Sequence, residues 1–441
     1  MCALVGPGAY PLNVTSIPTK AEWPYAQQWS FSVQRELPWS LLGSLAYVGS
    51  KGTHLTTELQ ANQLLPLNQV NNPFQPGQPI LQQTCQDGIT SGTFYVNGVY
   101  YPQGSAPYQN LLAACIGSSP ESPAANSVRI PGYSIAPSMG QIYSLQNIAN
   151  SNYNAMQFTL RRTRGPLTLG VSYTYSHSID DSSDRTSELF INAYNIAQNR
   201  ANSDFDQRHL INISYIYALP LDRWVNSFIS IGDDEPTNQV RGHGLSDRGK
   251  TFFSGWELSG ISIYSTGTPF SVIDGGSPTG VSTADNAGVL AVIGPGAYPD
   301  LATGNVANPT FTYSNLVGPI LGNPNRFVAP QGLTYGDAGR NFLNNPSRVN
   351  FDTAISKTVD LREGRSLQFR FETYNTFNHT QFRIYDPSNP GNAGNNVVNC
   401  YGASSSNYSA GAPSCIVSSS FLHPVDAHQP RTIQLGVKFL F

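Results

Sequence analysis

Residues able to do chemistry are few and scattered along this chain. Among seven histidines, only His423 and His428, with Asp426 between them, stand close enough to suggest a metal site. They lie just before the last apolar segment, where a solvated polar loop explains them equally well. Asp180, Asp181 and Asp184 offer hard oxygen ligands suited to calcium, without the glycine and glutamate spacing of a dedicated calcium loop. No G-x-S-x-G, H-E-x-x-H or phosphate-cradling glycine loop is present. The expectation is therefore no catalysis, no cofactor and no metal.

Five cysteines occur, Cys2, Cys85, Cys115, Cys400 and Cys415, none in C-x-x-C spacing. Cys85 and Cys115 share one stretch rich in Pro, Gly, Asn and Ser, and Cys400 and Cys415 share another. Such local pairs are candidate disulfides of an oxidising compartment; free buried thiols are the alternative. Cys2 has no evident partner.

Composition narrows the class. Charged residues make up 12% of the chain, about half of the roughly 25% usual in soluble domains. Hydrophobic residues reach only 39%, and the mean hydropathy is -0.25. Asn, Gln, Ser, Thr and Gly fill the gap, with 23 Tyr and 21 Phe. A net charge of -3 argues against a nucleic-acid partner. No apolar run is long enough for a spanning helix, and no charged n-region with an h-region is visible at the start of the sequence.

The elements that must position these residues are strands, because period-two alternation dominates. Over about 167–177, Leu167, Leu169, Val171, Tyr173 and Tyr175 oppose Thr168, Gly170, Ser172, Thr174 and Ser176. The same alternation runs through about 26–37, 40–49, 153–164, 207–219, 348–359, 365–378 and 429–441. In 252–266 it shifts phase between Leu258 and Ile261, which predicts a bulge. Nine strands result. Short turns at 37–40, 163–166 and 360–364 alternate with long loops at about 50–152, 179–206, 267–347 and 380–428. Loops this long count against an ordinary sandwich and suit a barrel with short turns on one rim and long loops on the other. Lipid cannot satisfy backbone polar groups, so β-structure spans a bilayer only as a closed sheet, apolar outside and polar within. Tyr153, Tyr175, Tyr217, Phe377 and Phe441 fit interfacial aromatic girdles. The expected fold is all-β: an antiparallel transmembrane β-barrel portion of about nine strands, with short periplasmic turns and long extracellular loops. Its inward polar positions, Gln34, Gln157, Arg161, Glu257, Asp352, Gln368, Arg370, Glu372 and Lys438, are candidate lumen-lining residues. Each also reads as a hydrated structural position.

The last residues carry a resemblance. Gln434, Gly436, Phe439 and Phe441 match the C-terminal assembly signal of outer-membrane barrels: polar, Gly, hydrophobic, terminal aromatic. That implies pairing with a barrel assembly machinery through strand addition. Further phrases resemble TonB-dependent outer-membrane receptors of the Oar-like subgroup. They include Gln28-Trp29-Ser30-Phe31-Ser32-Val33, Ser151-Asn152-Tyr153-Asn154-Ala155, Asp204-Phe205-Asp206-Gln207-Arg208-His209, Gly267-Thr268-Pro269-Phe270 and Phe371-Glu372-Thr373-Tyr374-Asn375-Thr376-Phe377-Asn378. The resemblance implies residence in an outer membrane of Gram-negative type and energy-coupled passage of a large solute. It also implies a plug inside the barrel and an inner-membrane TonB complex reached through that plug. Nothing here resembles the plug, so 1–25 are expected to be a loop remnant and 26–441 the strands and loops of a barrel's C-terminal part. In such a sheet the first and last strands run the same way and cannot close antiparallel. The competing expectation is a secreted or surface-anchored β-rich adhesin or glycan-binding protein.

Overall fold

The computed structural model describes residues 12–60, 82–115, 139–184, 195–230, 245–274, 336–385 and 426–441, with 21, 97, 362 and 363 excepted, and shorter pieces at 193, 276–328 and 395–424. Nine strands follow one another both in the chain and in space. They are β1 (Tyr25–Leu37), β2 (Leu41–Gln60), β3 (Met139–Arg162), β4 (Leu167–Asp180), β5 (His209–Leu219), β6 (Trp256–Ser265), β7 (Arg348–Asp360), β8 (Ser366–Tyr374) and β9 (Thr432–Leu440). Every neighbouring pair is antiparallel. Two short strands join off this path, Leu12–Ser16 parallel to β3 and Ala201–Asn202 beside β4. Among the described residues β1 and β9 are the edges, and the sheet is open.

Register turns the alternation into two faces, because residues directly opposite in antiparallel strands point to the same side. One row runs Gly43, Leu160, Val171, Ile213, Ser262, Phe351; the next runs Ser44, Thr159, Ser172, Asn212, Ile263, Asn350. The apolar face carries Phe31, Leu45, Phe158, Phe369, Leu435 and Val437, all exposed, with Leu435 77% exposed. A band of this extent in water would be an association surface; hydrocarbon covers it at no desolvation cost. Its limits are polar. Lys51 and Gln27 pair beyond Trp29 and Gly49 toward the long-loop end. Tyr47 Oη donates to Asn154 Oδ1 at 2.7 Å near the same level. Toward the turns, Arg35, Arg162 and Lys357 lie on the apolar face close to strand ends.

Among the described residues, the wall strands add nothing to the main buried apolar cluster. The main cluster of buried side chains, including Phe270, Phe327, Leu343, Ile384, Phe421 and Leu422, lies in the long loops between β6 and β7 and between β8 and β9. Those loops contain two- and three-stranded sheets and form a headpiece at the long-loop rim.

Four expectations change. β2 and β3 reach well into the stretch expected to be loop, because 51–60 pairs with 143–152. Register shifts around Gly52, Leu55 and Thr56, with His54 at φ 56, break the alternation there and hide the strands from a period-two reading. β6 contains no bulge: its pairing is continuous from Trp256 to Ser265. Ile261 and Ile263 simply point to the polar face, while Gly260 and Ser262 fill the apolar side. Tyr215 lies across Gly260, where an added Cβ would stand 2.6 Å from its hydroxyl, so the ring supplies the missing side chain. Tyr153 lies on the polar face, opposite Ser50 and Ser178, so it is no part of a lipid-side girdle. Finally, four short α-helices occur among the described residues: α1 (Gln82–Ser91), α2 (Ala106–Cys115), α3 (Leu221–Ser230) and α4 (Asp247–Phe253).

Candidate functional site

Register brings the expected inward residues onto one face. Gln157 stands opposite Ala46 and Thr174; Arg161 opposite Leu42 and Gly170; Glu257 opposite Ala218 and Ser356. Asp352 faces Ile261, and across the last two strands Gln368 faces Lys438, Arg370 faces Gly436 and Glu372 faces Gln434. Gln34, opposite Ser44, extends the same face to β1. Arg370 Nη2 and Glu372 Oε1 pair at 2.8 Å along one strand, and Gln368 Nε2 donates to Thr358 Oγ1 at 3.4 Å. A cavity of about 470 Å³ is lined in part by Arg161, Thr168, Ser214, Ser259, Asp352 and Glu372, so the polar face is concave. Mixed charge and hydroxyls suit a hydrated surface that accepts polar solutes or a polar protein segment.

Asp352 has a second task. Its Oδ1 accepts from Asn375 N at 2.8 Å and Asn350 Nδ2 at 2.9 Å. Asn375 takes φ 51, and its side chain accepts from His379 N and donates to the carbonyls of His379 and Gln429. The Asn375-Thr376-Phe377-Asn378 phrase is thus a turn device that ends β8.

A dense polar cluster lies at the long-loop rim, and no motif or spacing in the chain marks its centre. Arg340, 5% exposed, donates through Nη2 to Asp180 Oδ1 and, at 3.0 Å, to the Asp180 carbonyl. Its Nε reaches Asn199 O at 3.0 Å, and its Nη1 lies 3.6 Å from Asp204 Oδ1. Asn341 Nδ2 donates to Asn202 O and Asp204 Oδ1. Beside them Asp181 accepts from Asn150 N at 2.8 Å and pairs with Arg200 at 3.2 Å. Asp206 accepts from Ser178 N at 2.7 Å and pairs with Arg208 at 3.0 Å. Guanidinium groups therefore stand where calcium was considered for Asp180 and Asp181, and no group of three or more metal-ligating side chains occurs among the described residues. His423 and His428 donate their backbone N–H groups to Ser420 and Gln381 carbonyls, within the loop headpiece. The network ties the β4–β5 connection to the β6–β7 loop, fixing the headpiece on the wall.

A family model for the outer membrane beta barrel domain matches residues 3–434. The chain belongs to that family. As an outer membrane beta barrel domain it resides in the outer membrane, with its apolar face toward lipid. No curated protein matches the chain. Among solved structures it is similar to the outer membrane transporter YddB from Escherichia coli, at 8% identity and a TM-score of 0.36, covering 96% of this chain and 34% of that one. The chain thus spans about a third of the length of that transporter.

In this barrel domain, the C-terminal residues form edge strand β9. Gln434 and Gly436 sit on the polar face, Phe439 on the apolar face, and Phe441 is 97% exposed and stacks on Phe439 at 5.9 Å. A side chain at 436 would make ordinary contact with Arg370 Cβ at 3.8 Å, so packing inside this sheet does not demand glycine there. Cys415 is disulfide-bonded and buried in the loop core; Cys400 lies outside the described residues. Cys85 and Cys115 fall on α1 and α2, their side chains outside the described residues, as is Cys2 altogether.

Proposed function

We propose that this chain is the C-terminal part of the barrel of a TonB-dependent transporter of Oar-like type, passing a large solute with a plug supplied by sequence beyond the chain. The observation that carries the reading is the wall itself: nine sequential strands, polar on a concave face and apolar on the other, with parallel-running edges at β1 and β9. Open edges leave several backbone groups facing hydrocarbon, each at a cost of several kcal/mol, so further strands in the same barrel supply their partners. The residues from Gln157 to Lys438 on the polar concave face would meet the plug or the solute.

The loop headpiece, with its own dry core, favours a second reading in which the loops bind at the cell surface and nothing is transported. The full-length gene separates the two. It should encode a plug domain upstream, and outer-membrane vesicles bearing its product should co-sediment a purified TonB periplasmic domain. Absence of both would overturn transport and leave surface binding.

A further inference from the structure

The turn rim carries one feature that a simple barrel wall does not need. Between β5 and β6 the chain forms α3 and α4, with Leu221, Trp224, Val225 and Phe228 at i, i+3, i+4 and i+7 along α3. Such spacing makes one apolar stripe, yet Trp224 is 52% and Phe228 83% exposed. Phe252 of α4 is exposed as well and meets Phe253 edge-on at 5.1 Å.

Three contacts fix where these helices sit. Trp256 and Lys357 are register partners on the apolar face of the wall. Trp256 Nε1 donates to Phe252 O at 2.9 Å, and Lys357 Nζ donates to Thr251 O at 2.7 Å and to Ser254 O. The end of α4 is therefore held from the lipid side of the sheet, and the ammonium of Lys357 satisfies carbonyls that end the helix. Asn226 Oδ1 accepts from Leu245 N at 3.1 Å, joining α3 to the segment that caps α4. α4 thus abuts the band that the wall presents to hydrocarbon, and α3, with its exposed apolar stripe, packs against α4.

The geometry points to α3 and α4 as an interfacial anchor: a pair of helices lying on the inner leaflet of the outer membrane, with Trp224, Phe228 and Phe252 inserted among acyl chains. Lipid is the occupant because the helix pair is bonded to the wall from its lipid-facing surface, through Trp256 and Lys357. An amphipathic helix of this kind rests about 5–10 Å into the headgroup and acyl boundary. The inference rests on the membrane-wall reading, but not on transport or on TonB.

Trp224 itself is the probe. The protein is reconstituted in phosphatidylcholine vesicles whose acyl chains are brominated near the headgroup, and the Trp224 signal is taken as the difference from Trp224→Phe. That difference should lose more than about half its intensity, as expected at interfacial depth, and should resist aqueous acrylamide. The indole introduced by Phe228→Trp, made on the Trp224→Phe background, should behave alike one turn further on. Trp29, read through Trp29→Phe, reports the wall independently. Quenching of Trp29 by brominated lipid, with Trp224 and the introduced indole both unquenched, would overturn the anchor and leave the wall intact. If none is quenched, the wall reading and the anchor fail together.

Discussion

Arg340 shows how much one side chain can hold at the rim of a barrel. Its guanidinium lies among Asp180, Asp204 and two backbone carbonyls, nearly out of water. Removing one partner of a buried pair strands the other charge, at a cost of about 3–5 kcal/mol. Arg340→Ala should therefore loosen the headpiece while leaving the wall assembled. Proteinase K on intact cells should cut the β6–β7 loop faster, with the heat-modifiable gel shift of the barrel retained. Gly267 is a second such point, for a steric reason: a Cβ there would stand 1.8 Å from the Asn345 carbonyl. Asn345 in turn accepts from the N–H groups of Ile384 and Tyr385 and donates to Thr268 O. Gly267→Ala should cost about 1–3 kcal/mol, the usual range for forced overpacking, read as the same gain in loop cleavage. Arg340 does not stand out in the sequence, and Gly267 does so only as the first residue of the Gly267-Thr268-Pro269-Phe270 phrase. Arg340 and Asp180 are separated by 160 positions, and no local spacing reports a pairing across that distance.

At the scale of the element, the two faces of the strands make the sharpest prediction. Val171 and Ile213 pair on the apolar face; Ser172 and Asn212 pair one residue along, on the polar face. Val171→Arg and Ile213→Arg should hinder assembly by about 2–4 kcal/mol for a mid-bilayer position. Ser172→Arg and Asn212→Arg should change it by about 0.5 kcal/mol or less, judged by heat-modifiable migration of the full-length protein. Most of the wall was legible because alternation survives wherever register is continuous, as along β4, β5 and β9. It failed where a local device interrupts the period, at the shifts near Gly52 and Leu55, and where Tyr215 stands in for a side chain at Gly260. The helices were missed because each is short. The candidate inward residues were readable from alternation alone, but the Asn375 turn that engages Asp352 was not, since it depends on a left-handed backbone.

For the whole molecule, a wall whose apolar face stays exposed and a headpiece that buries its own core divide the work between lipid and loops. On the reading of the last residues as an assembly signal, the terminal strand governs insertion. Deleting Phe441, whose ring is almost fully exposed, should reduce outer-membrane insertion of the full-length protein more than deleting any one exposed headpiece residue, as measured by surface protease accessibility and gel shift. The central claim is that one face of this sheet meets hydrocarbon and the other meets water. Spin labels placed singly from 168 to 176 on β4, in the full-length protein in bilayer vesicles, test it most directly. Collision with oxygen should peak at positions 169, 171, 173 and 175, and collision with a water-soluble nickel chelate at 168, 170, 172, 174 and 176, the two profiles out of phase with period two. Profiles in phase, or equal protection of both faces from oxygen and nickel, would contradict the account.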